Sequence, residues 1–269
     1  MKPRMLALDL DDTLLHRDLT ISAVNVAALK EAEEAGIKIV LASGRNIVSM
    51  RGYADFLGMN RPGDFLICSN GAEMVAADSG EIVERLMLSR ELCFEAVGAI
   101  EAAGFGWQVY VDGKILCNEL NDWALKDGGL TGQPVIEAGD RDALFANGQV
   151  KFVIPGEPES ISALLVELSS RFEGRAEVLT SKPYFLEVLP LGADKGAALS
   201  RLAASLGIPM ASVMAIGDAM NDLGMIRASG WGCAPANAIP SVRAAARVVS
   251  DRTNDEDAVA DLIRKIALV

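Results

Sequence analysis

The chain of 269 residues is 51% hydrophobic and 23% charged, enough to bury a large core as one big domain or two modest ones and unlike a disordered chain. Its formal net charge of −12 repels phosphodiester backbones and anionic membrane surfaces, which disfavours nucleic acid and membrane as partners. With one histidine, His16, any imidazole-based triad or dyad would have to be built around that single residue.

The first element is a short apolar run from Met5 that stops at the carboxylates from Asp9 onward, consistent with a buried strand. It is too short for a signal-peptide core, and the longest uncharged run, Leu202 to Gly217, falls below the roughly 18 residues of a membrane helix. The four cysteines, Cys68, Cys93, Cys117 and Cys233, lie at no metal-ligand or redox spacing. The expectation is a soluble, unprocessed protein of a reducing cytoplasm.

A helix is expected from about Ser22, with Val24, Ala28 and Ala32 on one face and Gly36 as its stop. Glu31, Glu33 and Glu34 read as a solvated face of it. Then come a strand at Ile37 to Ala42, a helix ending near Gly58 and a strand at Phe65 to Cys68. Apolar strands alternating with helices predict a parallel sheet covered on both faces. After Gly80 the pattern changes. Asp112-Gly113 between two short strands signals a hairpin, further strands are expected at Phe152 to Ile154, Ala176 to Leu179 and Tyr184 to Leu189, and helices at about Arg90 to Ala103 and Glu157 to Arg171. Past Pro190 the earlier pattern returns, with a helix from Lys195 to Leu206 and a strand at Val213 to Ile216. The expected organisation is a doubly wound α/β core, residues 1–80 and 190–269, interrupted by an α+β unit, residues 81–189.

Four features lie at strand ends or a helix start. Asp9-Leu10-Asp11-Asp12-Thr13 ends the first strand, and alternation puts Asp9 and Asp11 on one side, at the sheet edge where open α/β folds bind ligands. Two carboxylates about 4 Å apart repel by roughly 4 kcal/mol at a surface-like dielectric, so a cation is expected there. Taken alone, the segment could equally be an acidic capping turn. Gly217-Asp218-Ala219-Met220-Asn221-Asp222 follows another apolar strand, and two such clusters on one sheet are harder to explain by capping. Hard oxygen donors with room for water describe a Mg2+ site. Ser43-Gly44 could hold a phosphoryl oxygen or be merely a turn. Lys195 opens a helix, where the macrodipole disfavours a cation, so it is either paired with a nearby anion or solvated. His16 is read as a surface or satisfied histidine.

In order and placement these features resemble the four motifs of the haloacid dehalogenase superfamily. Ser43-Gly44-Arg45, Ser69-Asn70-Gly71-Ala72, the long insert, Ala236-Asn237-Ala238 and Asn254-Asp255-Glu256-Asp257 resemble its Cof-like phosphatase branch. One departure is Asp12, where many members carry glycine. The resemblance implies a Mg2+-dependent phosphomonoester hydrolase with an inserted cap that sets specificity. It implies Asp9 as nucleophile, through an aspartyl-phosphate, and Asp11 as general acid and base. Mg2+ is then held by Asp9, the Asp11 carbonyl and Asp218, phosphate by Ser43, Gly44, Lys195 and Asn221, and Asp222 orients Lys195 or a metal-bound water. The expected partner is a small phosphorylated metabolite, a sugar phosphate foremost. The alternatives are a phosphomutase on the same scaffold and a non-catalytic phosphate-ligand binding module. Oligomeric state and the roles of Arg45 and His16 are left open.

Overall fold

A computed structural model describes residues 2–268. In chain order the elements are β1 (Met5–Leu8), α1 (Ala23–Glu34), β2 (Lys38–Ala42), α2 (Ile47–Leu57), β3 (Phe65–Cys68), β4 (Glu73–Ala76) and β5 (Ile82–Arg85). Then follow α3 (Arg90–Ala102), β6 (Gln108–Val111), β7 (Lys114–Cys117), α4 (Asp122–Thr131), β8 (Val135–Glu137), α5 (Arg141–Leu144), β9 (Phe152–Pro155), α6 (Pro158–Arg171), β10 (Ala176–Lys182) and β11 (Phe185–Pro190). The last are α7 (Lys195–Ser205), β12 (Val213–Ile216), α8 (Leu223–Ala228), β13 (Trp231–Ala234), α9 (Pro240–Ala245), β14 (Val248–Val249) and α10 (Ala258–Leu262). Two compact units emerge, Met1–Val83 with Asp194–Val269, and Glu84–Ala193. No helix among the described residues is long and apolar enough to cross a membrane.

The first unit is built on a sheet of order β14-β13-β12-β1-β2-β3-β4-β5. Pairing is parallel from β14 to β3, and β4 then turns back antiparallel to β3, with Leu66 opposite Val75. The short apolar strands alternate between two cores. Leu6, Leu8, Ile39 and Leu41 pack with Ala28, Leu29 and Ala32 of α1 and Met50 of α2. Met5, Ala7, Val40 and Ala42 pack with Ala198, Leu199 and Leu202 of α7 and Met225 of α8. Both faces are thus covered, which explains the near-continuous apolar runs. On the apolar face of α1, Ala28 and Ala32 are buried while Val24 is 41% exposed; Asn25 is fully buried, and its Oδ1 accepts a 3.0 Å hydrogen bond from the Ala260 amide of α10. Of the three glutamates read as solvated, Glu33 is partly buried near Arg61, 3.9 Å away.

Chain direction places the site. β1 sits between β2 and β12, so the strand order reverses there and the carboxyl ends of these strands border a crevice. The helix that follows β11 must pass close to α8, and glycines permit it. A Cβ on Gly196 would lie 2.3 Å from the Gly224 carbonyl carbon, and one on Gly224 would lie 2.6 Å from Asp194 Oδ1, the carboxylate that caps α7.

The second unit has a six-stranded sheet of order β10-β11-β9-β6-β7-β8. It is antiparallel except for β7 and β8, which run parallel, with Ile115 opposite Val135. Asp112 and Gly113, at φ 48° and 75°, form the two-residue turn between β6 and β7. Its separate core gathers Trp107, Val109, Phe145, Phe152 and Leu186 against Ala96 and Ile100 of α3 and Ile161, Leu164 and Leu168 of α6.

Replacing a helical glycine with alanine ordinarily stabilises by about 0.5–1 kcal/mol. At Gly196 the added methyl would meet the backbone of α8, and overpacking costs about 1–3 kcal/mol. Thermal melting of Gly196→Ala is therefore expected to show a lower Tm, whereas a raised Tm would mean the two helices can separate at no cost.

Candidate active site

Asp9 continues β1 beyond its last paired residue, its amide donating to Ile216 O at 3.0 Å, and it is 5% exposed. Lys195, the first residue of α7, is wholly inaccessible. Its Nζ lies 2.6 Å from Asp9 Oδ1 and 2.7 Å from Asp222 Oδ1. This pairing with two buried carboxylates is the reason a cation occupies the unfavourable end of a helix. Asp222 is itself inaccessible, and its Oδ2 accepts from the amides of Asp218 at 2.9 Å and Ala219 at 3.0 Å. Gly217 makes room for that turn, since a Cβ there would sit 2.5 Å from Asp222 Cγ. Asp218, 8% exposed, accepts from Thr13 Oγ1 at 2.8 Å.

Oxygens of Asp9, Asp218 and Asp222 all lie within 4.8 Å of one another. Three carboxylates against one ammonium leave an excess of buried negative charge, and the proton affinities respond. Burial pushes the Asp9 carboxyl well above its ordinary range, and Asp222 pushes it further, with Lys195 opposing. Burial, then Asp222, raises Asp218 to about 7. Burial works against the charge of Lys195, but Asp222 and Asp9 outweigh it and hold the ammonium protonated. A hard divalent cation fits this donor set, because it would relieve the same repulsion that raises the proton affinities. Asp222 has both oxygens engaged by Lys195 and two amides, so Asp9 and Asp218 are the better placed donors.

The Asp11 carboxylate points elsewhere. Arg45 grips it with two bonds, Nε to Oδ2 at 2.8 Å and Nη2 to Oδ1 at 2.7 Å, and the guanidinium lies 5.5 Å from the ring centre of Tyr53. Between Asp11 and Thr13 the chain turns through Asp12 in the left-handed region, φ 58° and ψ 9°. That conformation explains why glycine suits the position, and aspartate is among the residues that tolerate it.

The ends of β2 and β3 form the adjoining wall. Ser43 is 2% exposed, its Oγ accepts from the Arg45 amide at 3.2 Å, and its carbonyl accepts from the Asn70 amide at 3.0 Å. Asn70, at φ 54°, lies so close to Gly44 that a Cβ there would come within 3.2 Å of its amide group. Asn221 Nδ2 donates to Asn70 Oδ1 at 3.0 Å. Thus Asp9, Lys195, Asp218 and Asp222 form one hydrogen-bonded cluster, Ser43, Gly44 and Asn221 are joined through Asn70, and Asp11 faces Arg45. Sequence reasoning assigned no task to Thr13, Arg45 or Asn70. A hydroxyl two residues after Asp11 and an asparagine after an apolar strand are the only signals that could have pointed to the first and last. His16 lies 3.5 Å from Asp257, outside this cluster. All four cysteines are buried free thiols whose pKa burial raises, Cys93 and Cys233 to about 12, which suits packing and not nucleophilic chemistry.

An open α/β core with an acidic, lysine-bearing crevice at its switch point defines the class. The family model for haloacid dehalogenase-like hydrolases matches residues 6–263, and the chain belongs to that family. It is similar to 5-amino-6-(5-phospho-D-ribitylamino)uracil phosphatase YcsE of Bacillus subtilis, 32% identical over 97% of this chain and 94% of that one. It is also similar to an HMP-PP phosphatase of Yersinia pseudotuberculosis, 30% identical over 89% of this chain and 86% of the other. The crystal structure of a haloacid dehalogenase-like hydrolase from Bacteroides thetaiotaomicron superposes with a TM-score of 0.89 at 33% identity, covering 98% of this chain and 99% of that one. The protein is a phosphatase of this family.

The raised proton affinity of Asp218 has a consequence for stability. Its folded pKa of about 7 exceeds the ordinary 3.8, so the folded state gains from binding the proton. That gain is complete below pH 4 and is lost as pH rises through about 7, up to about 4 kcal/mol. In chelator-treated protein, Tm is expected to fall between pH 5 and 8 more steeply than in Asp218→Asn. Parallel curves for the two proteins would show that Asp218 is not strained by its neighbours.

Proposed function

We propose that the protein is a Mg2+-dependent phosphomonoester hydrolase that acts on small phosphorylated metabolites, sugar phosphates foremost, by passing the phosphoryl group through Asp9. The observation that carries the reading is the buried Lys195 held against Asp9 within a cluster of three carboxylates. Asp9 is a carboxyl whose ionised form a divalent cation would favour, needs no base to become a nucleophile, and lies where the strand order reverses.

The donor set fits Mg2+, held by the carboxylates of Asp9 and Asp218 and, by the family resemblance, the Asp11 carbonyl. When bound, the ion supplies charge neutralisation between the carboxylate and the phosphate dianion. Asp9 attacks phosphorus, a P–O bond to Asp9 forms and the ester P–O bond breaks, while Asp11, in its protonated form and turned away from the Arg45 grip, gives the departing oxygen its proton. Asp11 then takes a proton from water as the water oxygen attacks phosphorus, the bond to Asp9 breaks, and phosphate leaves with Asp9 restored. Ser43, the Gly44 amide, Lys195 and Asn221 hold the phosphoryl oxygens, and Asp222 keeps Lys195 aimed at Asp9. Positioning and charge carry most of phosphoryl transfer, so these residues matter as much as the nucleophile.

Substrate choice is assigned to the inserted unit, because a hundred-residue insertion with its own core is far larger than an active-site loop needs to be. A small leaving group accords with the phosphorylated compound in the name of the Bacillus subtilis relative.

Phosphate release from a panel of sugar phosphates, a phosphopeptide and a folded phosphoprotein tests the reading. The expected result is turnover of small esters that stops with EDTA and returns with Mg2+, together with a Tm that rises in millimolar Mg2+. Turnover undiminished in verified metal-free protein, or a preference for the folded phosphoprotein, would contradict it. Asp11→Asn is expected to lose about 10²–10⁴ in rate on alkyl esters, the usual worth of general acid–base catalysis. Wild-type rates in that variant would remove Asp11 from the chemistry.

A further inference from the structure

Two segments singled out in the sequence have no part in this chemistry, Ala236-Asn237-Ala238 and Asn254-Asp255-Glu256-Asp257. Both touch the segment that follows Asp9. Asn237 Nδ2 donates to the Asp12 carbonyl at 2.8 Å, and Asn237 Oδ1 accepts from the Asn254 amide at 2.9 Å. Asn254, 3% exposed, donates from its own Nδ2 to the Leu15 carbonyl at 2.9 Å. The brace is itself held. The Ala236 amide donates to the Arg252 carbonyl at 2.8 Å, and Glu256 Oε2 accepts from the Thr253 amide at 2.9 Å. Beyond it, Asp255 accepts from the Arg17 amide at 3.0 Å, and Ser22 Oγ donates to Asp257.

The turn being held needs holding. Asp12 occupies the left-handed region, which aspartate tolerates better than most residues but at a cost that contacts with its surroundings offset. Asp11 just before it is extended, φ −67° and ψ 130°, so the direction of its carboxylate depends on the orientation of the peptides that follow. We infer that Asn237 and Asn254 are positioning residues that hold the Asp11 turn in the geometry for proton transfer to the leaving oxygen. The inference rests on the role proposed for Asp11. An amide suits both tasks of Asn237, since one group must donate to a carbonyl while the other accepts from an amide.

A brace acting through a general acid has a signature that a merely structural part lacks. An alkoxide leaving group needs the proton and dinitrophenolate does not, and kcat/KM reports the first chemical step, before the hydrolysis common to both esters. The experiment compares kcat/KM for a sugar phosphate and for 2,4-dinitrophenyl phosphate in wild type, Asn237→Ala, Asn254→Ala and Asp11→Asn, with Tm measured for each. The Asn237 and Asn254 variants are expected to lose about 10- to 100-fold on the sugar phosphate and less than about threefold on the aryl ester. Asn237 is exposed, so its variant keeps a near-wild-type Tm and carries the test even if Asn254→Ala does not fold. An equal loss on both esters, or no loss on the sugar phosphate, overturns the inference. If Asp11→Asn discriminates between the esters and Asn237→Ala does not, the brace alone is wrong. If Asp11→Asn does not discriminate, the acid role of Asp11 falls and the brace falls with it.

Discussion

Lys195 has no access to solvent, and its ammonium is satisfied by carboxylates from two other segments, Asp9 after β1 and Asp222 beyond β12. A buried charge left without partners would cost several kcal/mol, so these contacts are obligatory once the lysine is inside. Much else in the core unit follows from that demand. The helix start must lie beside the switch point, Gly196 and Gly224 let α7 and α8 approach far enough, and Gly217 lets Asp222 fold back over its own strand end. The arrangement overshoots neutrality. With Asp218 added, the cluster carries more negative charge than Lys195 can offset, and burial first, then the neighbouring carboxylates, raise the proton affinities of Asp9 and Asp218.

That surplus is what makes the cluster chemically useful. A pair of opposite charges buried together is inert, whereas a buried surplus favours any ligand that brings positive charge. The residues around it separate into two tasks. Thr13 and the amides of Asp218 and Ala219 hold carboxylates of the acidic cluster, while Ser43 and Asn221 are both linked to Asn70, from segments that follow β2, β12 and β3 respectively. Asp11 stands apart with Arg45, whose bidentate grip acts together with the braced turn after Asp11 to fix its orientation.

Much of this was legible in the order of residues. Apolar runs that stop at Asp9, Ser43 and Asp218 announce parallel strands and their carboxyl ends together, and the misplaced charge of Lys195 leaves a nearby anion or solvent as its partner. What was not legible depends on pairs far apart in the chain. Thr13 and Asp218 are separated by 205 residues, Asn25 and Ala260 by 235, and Asn254 and Leu15 by 239. No local pattern encodes such meetings, and the burial of the polar Asn25 in α1 is one consequence. Other elements lack a signal of their own. The residues of β5 are mostly exposed and show no alternation. Two glycines interrupt α4, one of them, Gly128, where a Cβ would lie 2.5 Å from Val135 Cγ2. The antiparallel β4 carries the buried Glu73, a residue type that argues against a strand.

The charge surplus is expected to serve covalent chemistry at Asp9. This role is tested most directly by quenching the enzyme in acid during turnover of a rapidly reacting aryl phosphate and locating the phosphoryl group by peptide mass spectrometry. A phosphoryl group is expected on the peptide containing Asp9, at that residue and absent from Asp9→Asn. Phosphate trapped on a different residue, or full turnover by Asp9→Asn, would contradict it.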